Sequence, residues 1–346
     1  MASEPGFVHL HVHSSYSLLE GALTIARLAE LAKKDRQPAL ALTDTDNMFG
    51  ALEFSEKLAK SGIQPIIGCA IAIDFGDWEN RNPTAEQIWP RLVLLAADAR
   101  GYRSLMRLCS RAYLDTAAHE RPHIKADWLD DTTGLIALSG GPGGPLDHAI
   151  VAGQNPIALA RCETLQNLFA DRFYIELQRH GMAAERIAEP ELIDLAYARG
   201  LPLVATNEPF FATNEDHEAH DALLCIAEGK LIADAERRQL SPEHRFKSRA
   251  EMAALFADLP EALDASVEIA QRCMFRPRTL APILPRFTTD RAEEQGRGDQ
   301  EAQELRRAAR AGLEKRLARY GTAPGCGVED YAERLDFELG VIVNMK

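Results

Sequence analysis

The chain has 346 residues, a formal net charge of −13, and a composition that is 46% hydrophobic and 7% aromatic. These values fit an ordinary globular protein, with room for one α/β domain and an appendage or for two domains. They exclude a nucleic-acid clamp that works through this segment alone, because such a surface is strongly basic. No apolar run approaches the length of a membrane span and no signal pattern opens the sequence, so we expect a cytoplasmic protein with no membrane partner.

The six cysteines are scattered along the sequence without the C-x-x-C spacing of a zinc knuckle. Scattered single cysteines are typical of the reducing cytoplasm, where thiols stay free. We therefore expect neither a disulfide framework nor a structural zinc site.

The first predicted element is a strand, Val8–His13, that alternates apolar and imidazole side chains. Successive side chains of a strand point to opposite faces, so His9, His11 and His13 would share one face. The carboxylate of Glu20 follows after a short polar run. Imidazole and carboxylate groups are metal ligands, so this segment has the donors with which a metal site begins.

Beyond this strand, short apolar runs alternate with amphipathic segments. Further strands are predicted at 39–43, 65–73, 92–96, 134–138, 173–177 and 203–206. The intervening helices are predicted at 24–34, 52–61, 102–113, 156–168 and 190–199. Seven strands separated by helices predict a parallel sheet, either open or closed into a barrel. Polar residues follow several strand ends, where α/β barrels carry their active sites, and these include Asp44, Asn207 and Glu208.

Three further motifs have plainer explanations than catalysis. Asp44 and Asp46 could be taken for an acid–base pair, but their type and position predict caps of the helix that follows. The glycine-rich run at 140–145 predicts a rigid turn, since it lacks the Lys-Ser/Thr of a phosphate loop. His217 and His220 lie at helical spacing, which permits a shared metal, although the acidic residues before them favour an exposed helix start.

The character of the chain changes after about residue 276. Prolines interrupt an extended stretch, a polar segment follows at 288–300, and helices are predicted at 301–319 and 329–345. The first of these helices interleaves arginine with glutamate, which is typical of a solvated helix face. The second helix stops without a C-cap signal, so we expect the sequence to be a piece of a longer protein.

Several segments of the sequence resemble the alpha subunits of bacterial DNA polymerase III, which are the replicative C-family DNA polymerases. The similar segments are 7–22, 39–50, 65–68, 134–140, 203–208, 256–263 and 267–273. The resemblance spans essentially the whole chain. It implies a PHP (polymerase and histidinol phosphatase) domain at 1–275, folded as a distorted seven-stranded (β/α)7 TIM-like barrel. It also implies an extended linker and a mostly helical extension at 276–346, leading into a polymerase palm that lies beyond this sequence.

In active relatives, the PHP domain holds several metal ions at the barrel mouth. Carried over position by position, four ligand positions keep a donor, and these are His11, His13, Glu20 and Glu208. The other five ligand positions have lost theirs, and these are Thr45, Ala70, Arg91, Gly141 and Phe210.

Clustered metal ions repel one another and need many donors, whereas Arg91 places a positive charge where a cation should lie. We therefore predict no metal cofactor in this segment, and we expect Arg91 to be the counter-charge of Glu20 and Glu208. The residues of this degenerate PHP site are His9, His11, His13, Glu20, Asp44, Arg91, Asn207 and Glu208. The alternative is a single Zn or Mn ion on His11, His13, Glu20 and Glu208.

The resemblance also implies a function. The parent protein would transfer deoxynucleotides to a DNA primer, using Mg ions and aspartates outside this sequence, so no catalytic residue is predicted here. The segment would serve as a structural element of the polymerase III holoenzyme and as a docking surface for a separate proofreading exonuclease. Two alternatives stay open, a working metal-dependent phosphoesterase or 3′–5′ exonuclease, and a stand-alone barrel hydrolase unrelated to replication.

Overall fold

The computed structural model of the chain describes residues 6–77, 89–282 and 297–345, with residues 297–300 described by their backbone alone. The chain divides into two compact units, at 1–279 and 280–346. The predicted domain boundary after residue 275 stays a prediction. Within the described ranges, no helix is both long enough and apolar enough to cross a bilayer.

The first unit is built around a sheet of strands β1 to β7. Their bounds are Ala39–Leu42, Gln64–Asp74, Arg91–Ala96, Ile124–Lys125, Leu135–Leu138, Phe173–Leu177 and Leu203–Ala205. Hydrogen-bonded neighbours follow the order β1-β2-β3-β5-β6-β7, and the short β4 pairs with the end of β2. This curled sheet with its surrounding helices confirms the predicted α/β fold of a distorted seven-stranded barrel.

Strand β3 departs from the prediction of a wholly parallel sheet. It runs antiparallel to both β2 and β5, while the pairs β1–β2, β5–β6 and β6–β7 are parallel. An antiparallel neighbour needs no crossover helix, and none of the described residues between β2 and β3 is helical. As a consequence, the start of β3 lies at the same edge of the sheet as the ends of its neighbours, which places Arg91 there.

The prediction of a regular strand at Val8–His13 is wrong. The main-chain oxygens of His9 and Val12 accept hydrogen bonds from Ala41 N and Thr43 N, each at 2.9 Å. These acceptors are three residues apart, whereas the donors are two apart, so the segment is out of step with β1. The Thr43 hydroxyl also takes the Val12 N–H, at 2.8 Å, in place of a main-chain partner. The segment therefore follows β1 without forming a continuous ladder.

Helices surround the sheet in the order of the chain. Helices α1 to α9 are Ile25–Lys34, Ala51–Lys60, Ala99–Leu114, Pro145–Val151, Asn155–Phe169, Ala183–Arg199, His217–Glu228, Arg249–Leu255 and Pro260–Arg272. Thr24 caps α1 through its side chain, as is typical of an N-cap threonine. Helix α6 begins seven residues before Pro190, which was the predicted start. The carboxylate of Glu185 in its first turn accepts the main-chain N–H of Met182 at 3.0 Å.

Alternate residues of the strands face opposite sides of the sheet, and both sides are covered. On β2, Cys69 and Ile71 belong to one buried apolar cluster, whereas Ala70 belongs to another with Leu10 and Val93. A strand that is buried on both faces has a continuous apolar sequence, and such runs were the basis on which the strands were predicted.

The second unit contains the helices α10, Arg297–Tyr320, and α11, Val328–Asn344. Both were predicted from the sequence, with bounds that differ by a few residues. Arg310 of α10 and Asp336 of α11 form an ion pair at 3.0 Å, and Leu339 is buried. Most of the polar segment predicted at 288–300 lies outside the described residues.

Candidate functional site

A cavity of about 870 Å³ opens at the edge of the sheet where the strand ends meet. Its lining includes His11, Glu20, Arg91 and Glu208, together with Phe210. The sheet therefore brings Arg91 and Glu208, which are far apart in the sequence, next to His11 of the opening segment.

Two histidines converge on one carboxylate at the floor of this cavity. The Nε2 atoms of His11 and His13 lie 3.5 Å and 3.2 Å from Oε1 of Glu208. The other ring nitrogens are held from behind, since His11 Nδ1 lies 2.8 Å from Glu176 and His13 Nδ1 lies 2.9 Å from Ser17. Glu208 has a left-handed backbone, with φ of 48°, which is a strained conformation of the kind that clusters at functional sites.

The charges of this group support one another. Burial opposes a charge on His11, but the carboxylates of Glu176 and Glu208 outweigh burial and raise the pKa of His11. Burial alone would raise the pKa of both glutamates, yet His11 lowers each of them below its ordinary range. The carboxylates of Glu176 and Glu208 therefore favour the protonated form of His11, and its proton would offset negative charge at this place.

A second group surrounds Glu20. Its Oε1 accepts hydrogen bonds from Arg91 at 3.1 Å and from Arg238 at 3.2 Å, and its Oε2 accepts one from Thr45 at 2.7 Å. Burial raises the pKa of Glu20, but the two guanidinium groups overcome burial and lower it to about 2. Arg91 thus lies against Glu20 as the sequence predicted, whereas Glu208 interacts with Arg91 only through the longer-range field of its charge.

Three of the predicted site residues do not reach the cavity. His9 Nε2 lies 2.8 Å from the main-chain oxygen of Lys247, and burial lowers the pKa of His9 to about 4. The side chain of Asn207 bonds to Lys247 and to the Arg245 oxygen. Asp44 accepts hydrogen bonds from Ser14 and from Ser17, which in turn holds His13. These residues support the site from behind and do not line it.

The predicted capping role of Asp44 and Asp46 is wrong. Helix α2 begins after Gly50, which makes no side-chain cap. Asp46 accepts a hydrogen bond from the main-chain N–H of Ala72 at 2.7 Å, so both aspartates hold neighbouring loops and strands together.

The positions at which the resemblance implies a missing ligand are occupied by other side chains or by glycine. Phe210 stacks on His13, with ring centroids 4.5 Å apart and an angle of 6° between the planes. A Cβ at Gly141 would lie 2.5 Å from the amide carbon of Gln178, so no larger residue fits there without movement. Ala70 lines the cavity with a methyl group and offers no donor.

Two residues of the site were missed from the sequence. Glu176 is a fully buried carboxylate within the apolar strand β6, and a lone acid in such a run was the available signal. Arg238 lies in an irregular segment, 218 residues from its partner Glu20, and no local pattern marks it.

The two histidines of α7, His217 and His220, form hydrogen bonds with main-chain oxygens. His217 Nε2 lies 2.8 Å from the oxygen of Leu240, and His220 Nε2 lies 2.6 Å from the oxygen of Glu20. Among the residues that the structure describes, the group of acidic, histidine and cysteine side chains able to share one ion is His11, His13 and Glu208, whose donor atoms lie within 4.8 Å of one another.

Comparisons with known proteins agree with the resemblance seen in the sequence. The sequence model of the PHP domain matches residues 9–180. DNA polymerase III subunit alpha of Caulobacter vibrioides is 46% identical over 99% of this chain and 29% of the relative. The same subunit of Vibrio cholerae is 37% identical over 99% of this chain and 29% of the relative. The chain thus spans less than a third of the length of these curated relatives.

Among solved structures, an amidohydrolase from Chromobacterium violaceum is 14% identical, with a TM-score of 0.37, and covers 58% of this chain and 86% of its own. The fold, the convergent histidines and the family match together define residues 9–180 as a PHP domain. Over its whole length, the chain matches DNA polymerase III alpha subunits, in agreement with an amino-terminal PHP region of such a subunit.

Proposed function

We propose that this chain is the amino-terminal part of a replicative DNA polymerase alpha subunit in the cytoplasm. The observation that carries the proposal is the 34–46% identity to alpha subunits along nearly the whole chain. The complete protein would transfer deoxynucleotides to a primer with Mg ions held by aspartates outside this sequence. The segment alone is therefore expected to show no polymerase activity.

Within that protein, we propose that the PHP domain is a structural element whose metal site is degenerate. A cluster of metal ions does not fit the residues present, because Arg91 and Arg238 already neutralise Glu20 and five family ligand positions lack a donor. A cation beside Glu20 would have to displace two guanidinium groups, each held by a charge-assisted hydrogen bond. The lack of metal-ligand donors also supports a division of labour. Proofreading would belong to a separate exonuclease chain, bound to this subunit within the polymerase III holoenzyme. DNA would be bound by the remainder of the parent protein.

A second candidate rests on one observation, the buried Nε2 of His11, which has no hydrogen-bond partner among the described residues. Glu176 and Ser17 orient His11 and His13 toward Glu208, as outer partners orient the histidines of metal sites. His11, His13 and Glu208 would hold a single Zn or Mn ion, with Glu20 nearby only if its arginines were displaced. Such an ion, when bound, supplies an acidified water and polarises a phosphoryl group, which is the chemistry of a metal-dependent phosphoesterase or 3′–5′ exonuclease.

Metal analysis of the purified chain separates the two candidates. We expect less than one tightly bound equivalent of Zn or Mn per chain. One equivalent would favour the single-ion candidate, and two or more would overturn the degenerate site. His13→Ala is the control, because it removes one of the three converging donors and should abolish any stoichiometric ion at this place.

The gene tests the polymerase assignment independently of any metal. We expect the reading frame to continue past Lys346 into a glycine-rich palm entry with paired aspartates. A stop codon directly after Lys346 would contradict the proposal and favour a stand-alone hydrolase.

A further inference from the structure

Two cysteines from different elements lie thiol against thiol. Cys69 of β2 and Cys109 of α3 have their Sγ atoms 3.8 Å apart, although 40 residues separate them in the sequence. Both are free thiols. Cys69 is completely buried, whereas Cys109 is partly exposed on its helix.

We propose that Cys69 and Cys109 form an oxidisable dithiol, at which a disulfide bond closes between β2 and α3. A disulfide needs its sulfur atoms about 2 Å apart, so the two must approach by roughly 2 Å, a distance that side-chain rotation and a small shift of the helix can supply. This inference is independent of the proposed function, since it concerns neither the metal ligands nor the polymerase.

The unequal exposure of the two thiols sets the order of the chemistry. A small disulfide, R–S–S–R, reaches Cys109, whose thiolate attacks one sulfur and expels R–S⁻, leaving a mixed disulfide. The thiolate of Cys69 then attacks Sγ of Cys109 and expels the second R–S⁻. The two cysteine protons end on the two R–SH molecules, and two electrons pass from the protein to the reagent. Contact with Cys109 and burial raise the pKa of the Cys69 thiol, which agrees with Cys109 reacting first.

The hydrogen bond that Cys69 gives up on disulfide formation leaves no acceptor without a partner. The Cys69 thiol lies 3.3 Å from the main-chain oxygen of Asp44, to which it donates. That oxygen also accepts the N–H of Ala70 at 3.2 Å, so it keeps a partner when the disulfide forms. The new bond ties a surface helix to a central strand and closes a long loop, which reduces the freedom of the unfolded chain. The oxidised protein should therefore be the more stable form.

The test uses the 346-residue chain and oxidised glutathione alone. We expect a non-reduced digest to contain one cross-linked peptide pair, Cys69–Cys109, with two hydrogens fewer than the separate peptides. The exposed Cys326 should accumulate a glutathione adduct and thus reports that the reagent is active. The melting temperature should rise by about 5 °C or more, and dithiothreitol should reverse the rise.

Cys109→Ser is the decisive variant, because its site is partly exposed and the fold should tolerate a hydroxyl. It should show neither the cross-link nor the rise in melting temperature, while Cys326 still reacts. Cys162→Ser, a buried cysteine on α5, is the matched control and should keep both responses. The proposal is overturned if Cys326 reacts while Cys109 stays reduced, or if the reaction stops at a glutathione adduct on Cys109.

Discussion

Nη2 of Arg91 lies 3.1 Å from Oε1 of Glu20 at the cavity. Nη1 of Arg238, a residue far from both in the sequence, lies 3.2 Å from the same oxygen. The resemblance to the family assigns Glu20 and Arg91 to ligand positions. Under the proposed degenerate site, their ion pair would take the place of a ligand–metal contact, which makes their interaction the first target for experiment.

Replacing Arg91 by alanine should destabilise the chain by about 1–3 kcal/mol, because Glu20 is largely buried and would keep only Arg238 and Thr45. The free energy of unfolding in urea measures this loss. Arg27→Ala is the control, since its exposed pair with Glu30 on α1 should be worth about 0.5 kcal/mol or less. Equal losses in the two variants would mean that Arg91 is merely a surface residue.

The ion pair should also give the protein an acid-sensitive contribution to stability. The pKa of Glu20 falls from its ordinary value of 4.5 to about 2 in the folded chain. A depressed carboxyl pKa stabilises the fold at pH above the unfolded value, and this contribution disappears as the pH falls through the folded value. Glu20→Gln should therefore lose stability at pH 7, and its deficit relative to wild type should shrink between about pH 5 and pH 2. Urea unfolding across this range is the measurement, and a deficit independent of pH would contradict the assignment.

Glu176 should be the more costly carboxylate to remove. It is completely buried and interacts with His11, with Thr206 and with the main-chain N–H of Gly140. Glu176→Ala removes the nearer of the two carboxylates beside His11 and leaves Glu208 at 3.5 Å, and it should cost about 3–5 kcal/mol, measured by urea unfolding. The exposed Glu163→Ala is the comparison and should cost far less.

A double-mutant cycle isolates the pair of His11 and Glu176. We expect His11→Ala and Glu176→Ala to be strongly non-additive, with a coupling of about 1 kcal/mol or more, because each removes the partner of the other. Additive losses would show that the two side chains act separately.

Addition of Zn²⁺ or Mn²⁺ tests the absence of a metal requirement. If the arginines and the His11 proton balance the site, the melting temperature should stay unchanged at micromolar metal. A rise of several degrees, absent in His13→Ala, would show an ion bound to the folded state at this site and would favour the second candidate function.

Restoring two ligand types should not restore hydrolysis. In the variant Arg91→His with Phe210→His, Thr45, Ala70 and Gly141 still offer no imidazole or carboxylate donor. We expect no manganese-dependent phosphatase activity, measured with a chromogenic phosphate ester. Activity in this double variant would refute our account of the site.

The sequence predicted the elements that local patterns encode. Apolar runs marked most strands because both faces of the sheet are covered, and helix α1 was marked by Thr24 and the periodicity after it. The predicted helix at 190–199 starts too late, because Pro190 lies inside α6 and not at its first turn. The direction of β3 could not be predicted, since strand direction depends on how the connecting segment returns and not on the strand's own residues.

The site was predicted only where the family pattern names a position. His11, Glu20, Arg91 and Glu208 line one cavity, and His13 contacts Glu208 there. Their partners Glu176 and Arg238 come from elements distant in the sequence. The lone acid in an apolar strand was a signal for Glu176, whereas no local pattern marks Arg238. His9 lies away from the cavity because the irregular backbone of the opening segment does not keep the strict alternation of a strand, whereas the side chain of Asn207 is held by Lys247 and the Arg245 oxygen.

The pairing of Arg91 with Glu20 affects how the charge of the site is balanced after synthesis. A metalloprotein must capture its ion after synthesis and compete for it with every other binder in the cell. If the site is degenerate as proposed, the balancing charge at Glu20 belongs to the polypeptide itself, in the guanidinium groups of Arg91 and Arg238, and neither chelation nor scarcity of trace elements can remove it.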